Sequence, residues 1–119
     1  MRPNYMYVND QKFIKQLADT INSQNGLYHG GKAIVAIIEG VPVGILSLSN
    51  NASEIISLEV LPKYRRRGIA MQLISYAKKF AHRFGRNKLS VISMNEKSNR
   101  LYSRHGKRDK HSSTFTIKL

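Results

Sequence analysis

The chain has 119 residues, of which 20 are Lys or Arg and 7 are Asp or Glu, so its formal net charge is +13. This length predicts a single domain over residues 1–119, and 41% hydrophobic residues are enough for a packed core, which argues against a disordered basic tail. The absence of cysteine excludes disulfides, cysteine-ligated zinc and a cysteine nucleophile.

The predicted elements follow the order β-α-β-β-β-α-β-α-β. Runs of β-branched residues mark the strands, and apolar stripes with a 3.6-residue period mark the helices. We predict strands at residues 5–8, 33–38, 41–48, 54–60, 89–94 and 114–119. We predict a helix capped by Asn9, a long helix between Gly68 and Gly85, and a short helix over about residues 96–104.

The order of these elements predicts the arrangement of the sheet. Glu39-Gly40 is a hairpin turn, and the strand at 54–60 extends that hairpin into an antiparallel meander. Because the strand at 89–94 follows a helix, it can lie parallel to the strand before that helix in a right-handed crossover. We therefore predict a mixed α/β (α+β) domain.

The positive charge is concentrated in the second half. Residues 61–119 hold 16 basic side chains and only Glu96 and Asp109 as acids. This asymmetry favours an acidic protein or a nucleic acid as a partner, although a solvated charged surface would have the same composition. No signal peptide is evident and no apolar run approaches the 18 residues of a membrane span, so we expect a cytoplasmic protein with no membrane partner.

A basic loop connects the strand at 54–60 to the long helix. In Arg65-Arg66-Arg67-Gly68-Ile69-Ala70, backbone N–H groups meet the positive end of a helix macrodipole, and the arginines add charge-assisted donors. Such a loop holds a diphosphate, although a solvated basic turn would have the same residues. The P-loop and the dinucleotide-binding G-x-G-x-x-G patterns are both absent.

Two segments resemble signatures of the GNAT superfamily of N-acetyltransferases. Residues 58–70, Leu-Glu-Val-Leu-Pro-Lys-Tyr-Arg-Arg-Arg-Gly-Ile-Ala, are similar to its acetyl-CoA signature, L-x-V-x-P-x-[YF]-[RQ]-x-x-G-x-[GA], at seven positions. Residues 95–106 resemble its second signature, N-x-x-[AS]-x-x-[LF]-Y-x-[KR]-x-G. The resemblance covers roughly residues 33–106 and implies a GNAT-like, mostly antiparallel sheet flanked by helices, with a splayed parallel strand pair at the acetyl-CoA site.

The resemblance implies acetyl-CoA as the acetyl donor and implies no metal. Main-chain groups of residues 58–60 would pair with the pantetheine arm, and amides of residues 65–70 would surround the pyrophosphate. Asn95 would contact the pantetheine or cap the short helix, and the two roles are compatible. The expected cofactor-binding residues are Leu58, Glu59, Val60, Arg65, Arg66, Arg67, Gly68, Ile69, Ala70, Asn95, Ser98 and Arg104.

The resemblance also suggests catalytic residues. Tyr102 matches a tyrosine that lies near the CoA sulfur in the family, where its phenol protonates the departing thiolate; the alternative is a tyrosine that fills the core. Glu54 lies where some protein-lysine acetyltransferases of the family carry a catalytic glutamate, with Glu59 or water as alternative bases. Strand alternation puts Glu54 and Glu59 on opposite faces unless a bulge intervenes.

The function implied is acetyl transfer from acetyl-CoA to a primary amine, of a protein or another large acceptor that the sequence does not identify. The alternative is a GNAT-fold basic module, catalytically weak or inactive, that binds nucleic acid or an acidic protein. Only 13 residues follow Gly106, enough for one strand or a very short hairpin, and Lys107 replaces the family's aromatic residue. We therefore expect an open acceptor site, or one completed by a second subunit in a homodimer. The four histidines lack metal-ligand spacing, so we expect no metal site.

Overall fold

The computed structural model describes residues 2–21, 31–92, 101–104, 106–108 and 114–119. Within these residues a seven-stranded sheet has helices on both faces. The strands are β1 (Asn4–Val8), β2 (Lys32–Ile38), β3 (Val41–Leu48), β4 (Glu54–Val60), β5 (Lys88–Ile92), β6 (Lys107–Arg108) and β7 (Thr114–Lys118). The helices are α1 (Gln11–Ile21) and α2 (Ile69–Arg83), with a 3-10 turn at Pro62–Tyr64 and helical residues at 101–103.

The strand order is β1-β2-β3-β4-β5-β7-β6, and every described neighbouring pair is antiparallel except β4 and β5. Helix α2 makes the crossover between those two parallel strands. The predicted fold class, a mostly antiparallel mixed sheet flanked by helices with one parallel pair, is therefore confirmed. After the second signature the chain forms two short paired strands, β6 and β7. Of the two predicted alternatives, one strand or a very short hairpin, the structure thus has the hairpin.

Each face of the sheet has its own hydrophobic core. Helix α2 buries Leu73, Ile74 and Ala77 against one face, as its apolar stripe predicts. Helix α1 buries Ile14 and Leu17 against β2 and β3 on the other face. The described helices include none that is both long and apolar enough to cross a bilayer.

The N-terminal cap of α1 corrects one prediction. The carboxylate of Asp10 accepts hydrogen bonds from the backbone N–H groups of Lys12 at 3.0 Å and Phe13 at 3.3 Å. Asp10 is therefore the capping residue, one position after Asn9. Both side chains are good caps, so local preference does not choose between adjacent positions.

A β-bulge in β4 determines which side chains share a face. Ser47 of β3 pairs with Ser57, but the next residue of β3, Leu48, pairs with Ile55, which leaves Ile56 as an extra residue. Ile55 consequently joins Val60 in the core under α2. The bulge therefore places Glu54 and Glu59 on the same face, opposite α2.

Candidate active site

Among the residues that the structure describes, β4 and β5 pair through Glu54 with Ser90 and Ile55 with Val91, and β4 continues to Val60 past the last described residue of β5, Ile92. We call the space beside β4 beyond this pairing the gap; its closed end is at Ile55 and its wide end at Val60. Leu61 N–H donates to the Val43 carbonyl at 2.9 Å on the β3 side. Because main-chain groups alternate sides along an antiparallel strand, those of Leu58 and Val60 point into the gap. An extended ligand lying in the gap can pair with these groups.

The basic loop lies at the wide end of this gap. Arg65 Nε donates to the Val60 carbonyl at 2.9 Å, which ties the loop to the end of β4. Arg66 has a φ of 63°, in the left-handed region that residues other than glycine rarely adopt. The Arg67 guanidinium lies over the Tyr64 ring, 5.3 Å from its centroid. The Arg66 and Arg67 side chains are exposed beside the first turn of α2.

Gly68 is the N-cap residue of α2, and no side chain caps this helix end. Its φ of 80° is in the left-handed region, which favours glycine. A Cβ placed on Gly68 would meet no atom within 4 Å, so the main chain here is open to an approaching anion. The N–H groups of the first helical turn, the helix macrodipole and the neighbouring arginines together fit a diphosphate.

Gly44 positions this helix end and was not among the residues predicted from the sequence. Gly44 pairs with Val60, and a Cβ on it would lie 3.3 Å from both the Ile69 and Leu73 side chains. The missing side chain lets the start of α2 pack closely on β3. A glycine inside a β-branched run is the sequence signal that indicates such a close approach.

Tyr102 is buried, with 5% of its surface exposed, and its ring centroid is 6.0 Å from that of Phe115. Burial raises the pKa of the Tyr102 phenol to about 12, and the negative charge of Glu59 contributes to the increase. The phenol therefore keeps its proton at neutral pH. Tyr102 thus fills the core, as the alternative interpretation predicts, and lies within electrostatic range of Glu59, whereas its role at the CoA sulfur stays a prediction.

The two candidate bases differ in position, although both are half-buried on the face opposite α2. Glu54 lies at the closed end of the gap, where it pairs with Ser90 of β5. Glu59 lies next to Val60 at the wide end. The negative charge of Glu59, close enough to raise the pKa of Tyr102, disfavours further negative charge in its vicinity.

The remaining predicted residues are placed as follows. Arg104 is exposed, in a turn after the helical residues 101–103. Asn95 and Ser98 lie outside the described residues, as do three of the histidines, whereas His82 is exposed on α2. Among the residues that the structure describes, no three His, Cys, Asp or Glu side chains are grouped to hold a metal ion.

Gly106, the last residue of the second signature, has a packing role. Its N–H donates to the Tyr102 carbonyl at 2.9 Å. A Cβ on Gly106 would overlap the Thr116 carbonyl of β7 and lie 2.9 Å from the Ile117 side chain. Glycine is therefore required for the segment that carries Tyr102 to pack on β7.

Comparisons with known proteins agree with this geometry. A sequence model of the acetyltransferase (GNAT) family matches residues 3–106. No curated protein matches the chain at a significant level.

Three solved structures are similar to the chain. N-acetylglutamate synthase from Neisseria gonorrhoeae, complexed with coenzyme A and N-acetyl-glutamate, is 16% identical with a TM-score of 0.77, covering 100% of this chain and 36% of that one. IAA acetyltransferase from Bacillus cereus is 17% identical with a TM-score of 0.74, and the match covers 98% of this chain and 99% of that one. A GNAT family N-acetyltransferase from Escherichia coli, in complex with CoA, is 16% identical with a TM-score of 0.71, and the match covers 99% of this chain and 82% of that one. The chain thus spans about a third of the gonococcal enzyme's length, and at these identities the likeness shows the fold.

Proposed function

This chain belongs to the acetyltransferase (GNAT) family, and on that premise we propose that it transfers an acetyl group from acetyl-CoA to a primary amine. One observation carries the proposal. The main-chain groups of Leu58 and Val60 face a gap that leads to the uncapped N-terminus of α2, beside Arg66 and Arg67. This arrangement fits a molecule that combines an extended amide-containing arm with a diphosphate.

Each part of the site has a role in binding the donor. The amides of the first turn of α2 and the exposed arginines hold the diphosphate, and Gly68 keeps the approach open. Leu58 and Val60 pair with the arm. Arg65 acts as a positioning residue, since its Nε holds the Val60 carbonyl. Asn95, Ser98 and Arg104 complete this proposed set.

Acetyl-CoA supplies the acetyl group: a C–N bond forms at the carbonyl carbon, the C–S bond breaks, and one proton passes in net from the amine to the departing sulfur. The Leu58 N–H, which faces the gap nearer its closed end than that of Val60, donates to the carbonyl oxygen as negative charge develops there. Tyr102 donates a hydrogen bond to the sulfur. Glu54, four residues along β4 from Leu58, removes the amine proton through water. Holding the two reactants side by side supplies much of the acceleration.

We further propose that the protein acts in the cytoplasm and forms a homodimer. The two-residue strand β6 is one of the two edge strands of the described sheet, with β1 at the other edge, so a second subunit can pair with it. A monomer mass in light scattering would contradict the dimer. The family resemblance suggests an amine of a protein or another large molecule as the acceptor, whereas the proposed function itself requires only a primary amine.

The test of the proposed function is calorimetry with acetyl-CoA. We expect saturable binding, and we expect the double variant Arg66→Gln/Arg67→Gln to weaken it about tenfold, because two charge-assisted donors are lost at a solvent-exposed site. The double variant Lys12→Gln/Lys15→Gln is the matched control, because it removes the same charge from exposed positions of α1. No saturable binding in the millimolar range would refute the proposal.

A further inference from the structure

Part of one sheet face has no helix packed on it among the described residues. We define the open face as the surface of β4, β5, β7 and β6 that lies opposite α2. Helix α1 packs on the same side of the sheet, but against β2 and β3. On the other side, the core under α2 buries Ile55, Leu89 and Val91. The open face is the side of β4 on which Glu54 and Glu59 lie, next to the gap.

Pairing across the strands shows which side chains share the open face. Directly paired residues point to the same side of a sheet. One row crosses four strands, and a second row joins β5 and β7. The first row is Glu54, Ser90, Thr116 and Lys107, and the second is Lys88 with Lys118. The intervening residues of β5 and β7 are the core residues Leu89, Val91, Phe115 and Ile117. These two rows are therefore entirely polar.

Charges of opposite sign are separated on this face. The carboxylate of Glu54 is on β4, whereas the ammonium groups of Lys88 and Lys118 are on β5 and β7. Strands about 4.8 Å apart place Glu54 diagonally across from Lys88, about 7–8 Å away between backbone positions. Lys88 and Lys118 are directly opposite each other, an arrangement of like charges that destabilises a strand pair and that a bound anion relieves.

We propose that the acceptor is a small primary amine that also carries a carboxylate or a phosphate. The inference rests on the proposed function and specifies which primary amines it uses; a protein or another large acceptor is the alternative. The amine lies at Glu54 beside the gap, and the anionic group lies between Lys88 and Lys118. A chain of net charge +13 repels a simple cationic amine, whereas a zwitterion presents each end to a group of opposite charge.

Matched acceptors test the inference through kinetics. We expect kcat/KM for 6-aminohexanoate to exceed that for hexylamine at least tenfold, through a lower KM. The double variant Lys88→Gln/Lys118→Gln should bring this ratio close to one and leave acetyl-CoA affinity unchanged, whereas Lys12→Gln/Lys15→Gln should preserve the ratio. O-phosphoethanolamine compared with ethanolamine then distinguishes phosphate from carboxylate recognition. Equal use of hexylamine and 6-aminohexanoate, with acetyl-CoA bound, would overturn the inference.

A binding measurement separates this inference from the proposed function. In ¹⁵N-labelled protein without acetyl-CoA, we expect 6-aminohexanoate to shift the amide resonances of Ser90 and Thr116, and hexylamine and hexanoate, which each lack one charge, to shift them less. Absence of acetyl-CoA binding would refute the proposed function alone, and the NMR titration would then decide the inference. Equal shifts with all three compounds, or none up to the solubility limit, would overturn it.

Discussion

At the scale of single residues, the environment of Tyr102 determines how it can assist the leaving group. Its phenol has a pKa of about 12 because it is buried and lies near Glu59. An ordinary thiol has a pKa of about 8.5, so transfer of the proton from Tyr102 to a thiolate is energetically uphill. We infer that Tyr102 stabilises the departing sulfur mainly as a hydrogen-bond donor, while the amine supplies the proton in net terms.

We predict that Tyr102→Phe lowers kcat about 10- to 100-fold and changes acetyl-CoA affinity less than twofold. The ring still packs on Phe115, so only the hydroxyl donor is lost. Steady-state kinetics and calorimetry on the same preparation measure the two effects. An unchanged kcat would remove Tyr102 from the chemical step.

Alkaline unfolding provides the control for this variant. Between about pH 10 and 12 the folded protein holds the Tyr102 proton that the unfolded chain has lost, so the free energy of unfolding falls by about 1.4 kcal/mol per pH unit, about 3 kcal/mol in total. Tyr102→Phe should lack this decrease, while the smaller effects of Tyr5 and Tyr7 remain in both proteins. Urea titrations at pH 9 and above measure it, and parallel curves would argue against the raised pKa.

The two carboxylates on the open side of β4 should differ in catalysis. We predict that Glu54→Gln lowers kcat at least tenfold, because Glu54 accepts the amine proton. Glu59→Gln should lower kcat much less, and it should lower the pKa of Tyr102 because a neighbouring negative charge is removed. Steady-state kinetics of the two variants measure the difference: if Glu59→Gln causes the larger loss, the assignments are reversed, and if neither variant lowers kcat, water is the base.

At the scale of secondary-structure elements, patterns that repeat along the chain were predictable and features set by distant partners were not. The stripe of α2 and the parallel crossover follow from local sequence. The bulge at Ile56 does not, because its register depends on pairing with β3. The two-residue strand β6 is too short to show a period, and Gly44 has its role only through contact with α2. For the same reason the loop at Gly68 was predictable from the sequence, whereas the side of the sheet on which Glu59 lies, relative to Glu54, was not.

Gly106 illustrates such a nonlocal requirement. We predict that Gly106→Ala lowers the free energy of unfolding by about 1–3 kcal/mol, because the added methyl overlaps the Thr116 carbonyl and must displace β7. Urea unfolding measures this loss, and hydrogen exchange should be faster in β7. The comparison is Gly40→Ala in the hairpin turn, where φ is 78° and no atom lies within 4 Å, so that only backbone strain contributes. An unaltered exchange rate in β7 would contradict the overlap.

At the scale of the whole molecule, the positive charge forms separate regions along α2. Residues 60–95 contain nine basic side chains and no acid. Arg66 and Arg67 lie at the N-terminus of α2, whereas Lys79 and Arg83 lie near its other end, and a 15-residue helix is about 22 Å long. The second group is thus too far from Gly68 to hold the same diphosphate. Lys79 and Arg83 are also four residues apart, a like-charge spacing that costs about 0.2–0.5 kcal/mol.

This second region is a surface groove lined by Lys78, Lys79, His82, Arg83 and Leu119. We predict that it attracts polyanions without sequence preference, because backbone phosphates need only positive charge. Duplex DNA should be retained at low salt and released as salt rises. Each phosphate contact contributes about 0.9 to the slope of log affinity against log salt, so Lys79→Gln/Arg83→Gln should reduce the magnitude of this slope by about 1.8. Lys12→Gln/Lys15→Gln should leave the slope unchanged. Because the groove is at the opposite end of α2 from Gly68, acetyl-CoA should not displace the DNA. Competition between acetyl-CoA and DNA would place DNA binding at the arginine loop instead. A salt slope that Lys79→Gln/Arg83→Gln leaves unchanged would place it outside the groove.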